Sequence, residues 1–126
     1  MSETPSPRAT TVLVVDDDPD VRETLADAVE DAGRRVLMAQ DGAEALRTLD
    51  EAPRPCLVLL DLKMWPMGGA EFLQRLQTRV DASDFPVVLV TADRDYHAAR
   101  NAPGVVAVLP KPFDVAALKA VLEKFC

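Results

Sequence analysis

Val12-Leu13-Val14-Val15-Asp16-Asp17-Asp18 decides the fold: a short, fully apolar run that stops abruptly at carboxylates. Three further runs behave alike. Leu57-Val58-Leu59-Leu60 ends in Asp61, Val87-Val88-Leu89-Val90 ends in Thr91, and Val105-Val106-Ala107-Val108-Leu109 passes through Pro110 into Lys111. Runs of this length, without polar alternation, read as buried strands of a parallel sheet. In an open parallel sheet, ligands gather at the carboxyl ends of the strands. Asp16, Asp17, Asp61, Thr91 and Lys111 are therefore expected to converge on one small site. That set suits a cation together with a phosphoryl group.

Helical patterns fill the spaces between the runs. Asp18-Pro19 opens the first, with Asp18 as cap and Pro19 in the first turn. Val21, Leu25, Ala28, Val29 and Ala32 recur at helical spacing, and Gly33 ends the segment. Val36 to Ala39 reads as a second strand, followed by a short helix from Ala43 to Leu49. Further helices are expected from Ala70 to Arg79, weakly from Arg94 to Asn101, and after a cap at Asp114. Five strands alternating with helices predict a doubly wound α/β sheet with right-handed crossovers. Residues 1–10, rich in proline and threonine, read as a disordered tail, and 11–126 as one domain.

Composition narrows the function classes. At 126 residues the chain is long enough for a real core, and its 48% apolar and 28% charged content is ordinary for a globular domain. A net charge of −7 without a basic stripe argues against direct nucleic-acid binding. No apolar stretch approaches the roughly 20 residues of a membrane span, and Met1 to Thr11 lacks the pattern of a signal peptide. Cys56 and Cys126 make no disulfide framework; Cys56 reads as a buried thiol and Cys126 as a frayed last residue. A reduced, cytoplasmic setting is expected. The single His97 lies in a short polar segment, unsuited to a histidine phosphotransfer helix.

Each site residue also has a plainer reading. Asp16 to Asp18 could be an acidic helix-capping turn, Asp61 a cap for the next segment, and Thr91 an ordinary β-branched strand residue. Three consecutive acids repel one another, however, and a divalent cation relieves that cost; Mg²⁺ favours a few carboxylates plus waters. A carboxylate at a strand end beside such a pair is well placed to attack a phosphoryl donor.

Taken together, these segments closely resemble the receiver domain of bacterial two-component response regulators. The likeness runs from Thr11 to Cys126 and rests on four stretches: Val12 to Arg22, Leu57 to Met64, Val90-Thr91-Ala92 and Leu109 to Phe113. It implies a flavodoxin-like sheet of order 2-1-3-4-5 with five helices. It implies Asp61 as phosphoacceptor, and Mg²⁺ on Asp16, Asp17, Asp61 and the backbone carbonyl of Lys63. Thr91 would follow the phosphoryl group, Lys111 would pair with it, and the small Ala92 would leave it room. The implied donor is a phosphohistidine on a histidine kinase or a histidine phosphotransfer protein. The implied receiver of the signal is a downstream protein or a missing output domain, with a homodimer through the C-terminal face as a further possibility. Such a domain turns over no separate substrate; it catalyses only its own phosphorylation and dephosphorylation.

Three departures from the family pattern stand out. Trp65-Pro66 replaces the usual Pro-Gly after the phosphoacceptor segment, so Trp65 either packs on its own loop, the favoured reading, or stands exposed for recognition. Val108 replaces the usual Tyr or Phe that couples the threonine to the output face, and Arg94 to Pro103 looks short for its helix. Lys63 and Asp93, two residues beyond site residues, are the positions expected to tune the lifetime of an acyl phosphate. Val108 and the altered loop motivate an alternative, a receiver-like module that binds proteins without phosphorylation. A phosphatase of the haloacid dehalogenase type fits poorly, because Asp20 stands where Thr or Val is needed and no acidic pair follows Lys111.

Overall fold

The computed structural model describes residues 10–92 and 99–126. Five strands form one parallel sheet: β1 (Thr11–Val15), β2 (Arg35–Ala39), β3 (Cys56–Leu60), β4 (Val87–Thr91) and β5 (Val105–Pro110), in the order β2-β1-β3-β4-β5. Among the described residues four α-helices accompany them: α1 (Pro19–Asp31), α2 (Gly42–Glu51), α3 (Gly69–Gln77) and α4 (Val115–Phe125). The flavodoxin-like order 2-1-3-4-5 is thus present, with four helices described where five were expected. The expected helix from Arg94 to Asn101 lies mostly outside the described residues, as do Asp93 and His97; its end, residues 99–100, is helical.

Every residue of β1, β3 and β4 is buried, as unbroken apolar runs require of a sheet covered on both faces. Alternate side chains then feed two cores. Leu13, Val15, Val58, Leu60 and Leu89 meet Ala45, Leu49, Phe72 and Leu76 of α2 and α3. Val12, Val14, Leu57, Leu59, Val88 and Val90 meet Leu25, Val29, Leu118 and Leu122 of α1 and α4.

Local chemistry sets the helix ends. Asp18 caps α1, its Oδ1 accepting from the N–H of Asp20 at 2.9 Å, and Asp114 caps α4 by accepting from Ala117 N–H at 2.6 Å. Gly33, at φ +82°, supplies the left-handed turn into β2. Two features were not foreseen. Val106 forms a register irregularity in β5, since Val87 pairs with Val105 but Val88 pairs with Ala107. Cys126 does not fray: its N–H bonds to the Leu122 carbonyl at 2.8 Å, and the residue is buried against the α1–α4 core.

Candidate functional site

The sheet's hydrogen bonding carries the site residues one step beyond the strand ends. Asp16 N–H donates to the Ala39 carbonyl (3.2 Å), Asp61 N–H to the Val15 carbonyl (3.0 Å) and Lys111 N–H to the Thr91 carbonyl (3.0 Å). The residues that follow β1, β3 and β5 are therefore pinned to their neighbours at the carboxyl edge, where the order reverses between β1 and β3. All five residues singled out by their positions after the apolar runs stand along this edge.

The side chains converge as their spacing suggested. Asp16, Asp17 and Asp61 each offer a carboxylate oxygen, and these oxygens all lie within 4.8 Å of one another. Asp16 is 1% exposed and Asp61 6%, while Asp17 faces solvent. Lys111 answers the buried charges: its Nζ lies 2.8 Å from Asp16 Oδ2 and 3.6 Å from Asp61 Oδ2. Thr91, 2% exposed, closes β4 beside them. Ala92 and Lys111 line a cavity of about 560 Å³, bounded also by Asp20, Val21, Pro112 and Phe113.

Burial pushes the Asp61 carboxyl above its ordinary value, Lys111 draws it back, and the charges of Asp16 and Asp17 push it up again. The N–H of Lys63 donates to Asp61 Oδ1 at 3.4 Å, which favours the ionised form. A cluster of hard oxygen donors at this separation, partly desolvated, fits a small divalent cation.

The loop after Asp61 corrects one expectation. Trp65 does not pack on its own loop; it is 81% exposed, and Met64 and Met67 turn inward instead. Gly69 N–H closes the loop on the Leu62 carbonyl at 3.0 Å, and Gly42 N–H ties it to α2 through the Met67 carbonyl at 3.0 Å. Val108 is half-buried against the α2–α3 core. One residue of the site escaped the sequence reading: Arg22, whose Nη1 donates to the Asp16 carbonyl at 2.8 Å. The contact has a simple geometric cause, since a long side chain in the first turns of a helix leans back toward the N-terminus.

Comparison with known proteins places this geometry. The family model for the response regulator receiver domain matches residues 12–123. A response regulator receiver protein of Anaeromyxobacter sp. is 41% identical over 105 residues, covering 82% of this chain and 43% of that protein. The response regulator MprA of Mycolicibacterium vanbaalenii is 41% identical over 112 residues, covering 86% and 47%. This chain thus spans less than half the length of either relative. Among solved structures, chemotaxis protein CheY4 of Vibrio cholerae superposes with a TM-score of 0.83 at 28% identity, covering 95% of this chain and all of that one. The response regulator TrrA of Thermotoga maritima, solved with Mg²⁺ and BeF, gives 0.79 at 28% identity, covering 90% and 96%. The four-segment resemblance and the parallel sheet lead to the same place: this chain belongs to the response regulator receiver domain family.

Proposed function

We propose that this chain is a phosphorylatable receiver that takes a phosphoryl group on Asp61 and thereby changes its contacts with other proteins. The observation that carries the reading is the placement of one buried carboxylate, Asp61, between two further acids and a lysine ammonium 3.6 Å away. A phosphohistidine of a kinase or phosphotransfer protein is the donor. An Asp61 carboxylate oxygen attacks phosphorus, the bond from phosphorus to the imidazole nitrogen breaks with its electron pair passing to that nitrogen, and the ring, protonated on its other nitrogen, departs as neutral imidazole. Asp16, Asp17, Asp61 and the Lys63 carbonyl would hold Mg²⁺, which supplies positive charge against the phosphoryl oxygens.

The other roles fall to this chain's own side chains. Lys111 exchanges its contact with Asp16 for a phosphoryl oxygen, and the Thr91 hydroxyl donates to another. Ala92, beside the site, leaves the approach open. The phosphorylated and unphosphorylated forms then differ in the position of Thr91, which biases binding of a downstream protein or an output domain. Residues 11–126 form the receiver and 1–10 a tail, and the phosphohistidine donor implies a cytoplasmic setting.

The test is intact mass after incubation with Mg²⁺ and acetyl phosphate, for wild type and Asp61→Ala. A single phosphoryl addition confined to the wild type is expected. No addition to either, with Mg²⁺ binding demonstrated, would overturn the reading and favour a module that binds proteins without phosphorylation, the reading that Val108 supports.

A further inference from the structure

Asp16 is held at four points. Its Oδ1 accepts from the Asp18 N–H at 3.0 Å, its Oδ2 from the Lys111 ammonium at 2.8 Å, and its carbonyl from Arg22 Nη1 at 2.8 Å. Its own N–H is committed to β2 through the Ala39 carbonyl. Lys111 and the Asp18 N–H fix the carboxylate, while Arg22 alone of these fixes the peptide link between Asp16 and Asp17. That link sets where Asp17 points, and Asp17 is the exposed member of the acidic group, on the turn between β1 and α1.

We propose that Arg22 is a positioning residue for the cation site: by bonding the Asp16 carbonyl it locks the β1–α1 turn so that the carboxylates of Asp16 and Asp17 face Asp61 together. The inference rests on the cation reading of these acids and adds the residue that holds them. A guanidinium suits the task, because its donors sit in a rigid plane and a charged donor makes a stronger bond to a carbonyl than a neutral one does. Arg22 is anchored one turn inside α1, whose start is in turn fixed by the Asp18 cap. The lock therefore ties the turn to a rigid element.

The charge on Arg22 acts in the opposite sense. A fixed positive charge beside the site repels a dication, so on charge alone its removal would tighten Mg²⁺ binding. Positioning predicts that removal weakens binding. The direction of the change thus separates the two roles.

The experiment is calorimetric titration of the whole chain with Mg²⁺, for wild type, Arg22→Met and Arg22→Lys, each well below its own melting temperature. Arg22→Met is expected to bind Mg²⁺ about tenfold more weakly, the loss of one charge-assisted hydrogen bond. Arg22→Lys keeps a donor and the charge and is expected to recover part of that loss. Unchanged or tighter binding by Arg22→Met overturns the proposal, and so does a lowered melting temperature with unchanged affinity, which is a structural role alone. Should Arg22→Met fail to fold, Arg22→Gln is titrated in its place against the same expectation. Absence of Mg²⁺ binding by the wild type strikes the cation reading itself, and is told apart from a failure confined to Arg22.

Discussion

Three neighbouring acids in this chain divide between two tasks. Asp18 works through its side chain as the cap of α1, whereas Asp16 and Asp17 turn theirs to the site. Asp18→Ala should cost about 1 kcal/mol of stability and lower Mg²⁺ affinity less than Asp17→Asn does, while Asp17→Asn should weaken Mg²⁺ binding with little effect on melting. Paired calorimetry and thermal melts check both. Asp61 is buried enough that its carboxyl lies above the ordinary 3.8 despite Lys111. Above pH 3.8 the unfolded chain therefore releases this proton more readily than the folded one, and ionised Asp61 costs stability at neutral pH. Metal-free Asp61→Asn should accordingly melt higher than wild type at pH 7, with the advantage fading as the pH falls toward 3.8. A lower melting temperature at pH 7 would contradict the raised carboxyl. Asp16, Asp61 and Thr91 were legible because each directly follows or closes an apolar run, Asp17 because it adjoins Asp16, and Lys111 because it lies one proline beyond the last run. Arg22 was not, because nothing in its spacing distinguishes an arginine that bonds a carbonyl from one that merely faces solvent.

At the level of elements, the loop from Asp61 to α3 shows how the site is seated. A Cβ on Gly69 would lie 2.5 Å from the Asp61 carbonyl oxygen and 2.8 Å from Leu62 Cα, both backbone atoms that cannot step aside. A Cβ on Gly42 would chiefly meet the Met67 side chain, which can turn away. Gly69→Ala should therefore cost about 1–3 kcal/mol and slow phosphorylation of Asp61 by displacing its main chain, whereas Gly42→Ala should cost less on both counts. Denaturant melts and acetyl phosphate kinetics on the two variants give the comparison. Helix starts at Asp18 and Asp114 were readable from capping chemistry, and β5 was readable in extent. The irregularity at Val106 was not, since it depends on how β5 registers with β4 and leaves no mark in composition. The 3₁₀ turn at Ala82–Asp84 was likewise unseen: its neighbourhood is fixed by Arg54 and Arg79, which pair with Asp81 and stack on the Phe85 ring.

For the molecule as a whole, the doubly wound parallel sheet followed from alternation and crossover handedness, because fully apolar strands can be buried only between two helical layers, whereas the strand order came from the resemblance to receiver domains. What the sequence did not disclose were tertiary accidents at the periphery, such as the burial of Cys126. Cys56 deep in β3 illustrates the consequence of full burial, which raises its thiol from 9.0 to about 12. Below pH 9.0 the thiol is protonated in both folded and unfolded chains; from there to about 12 only the unfolded chain gives up the proton, so stability should fall as pH rises through that window. Alkylation of Cys56 at pH 8 should correspondingly be slow until the protein is unfolded, as peptide mapping would reveal. Trp65 is the opposite case, a large aromatic left in water four positions beyond Asp61. As the chain's one tryptophan it is a native fluorophore on the loop between β3 and α3. Its emission should be red-shifted and readily quenched by acrylamide in the free protein, and should move to the blue when a partner covers that loop. The domain thus carries an unlabelled optical gauge of who is docked against the loop that follows Asp61.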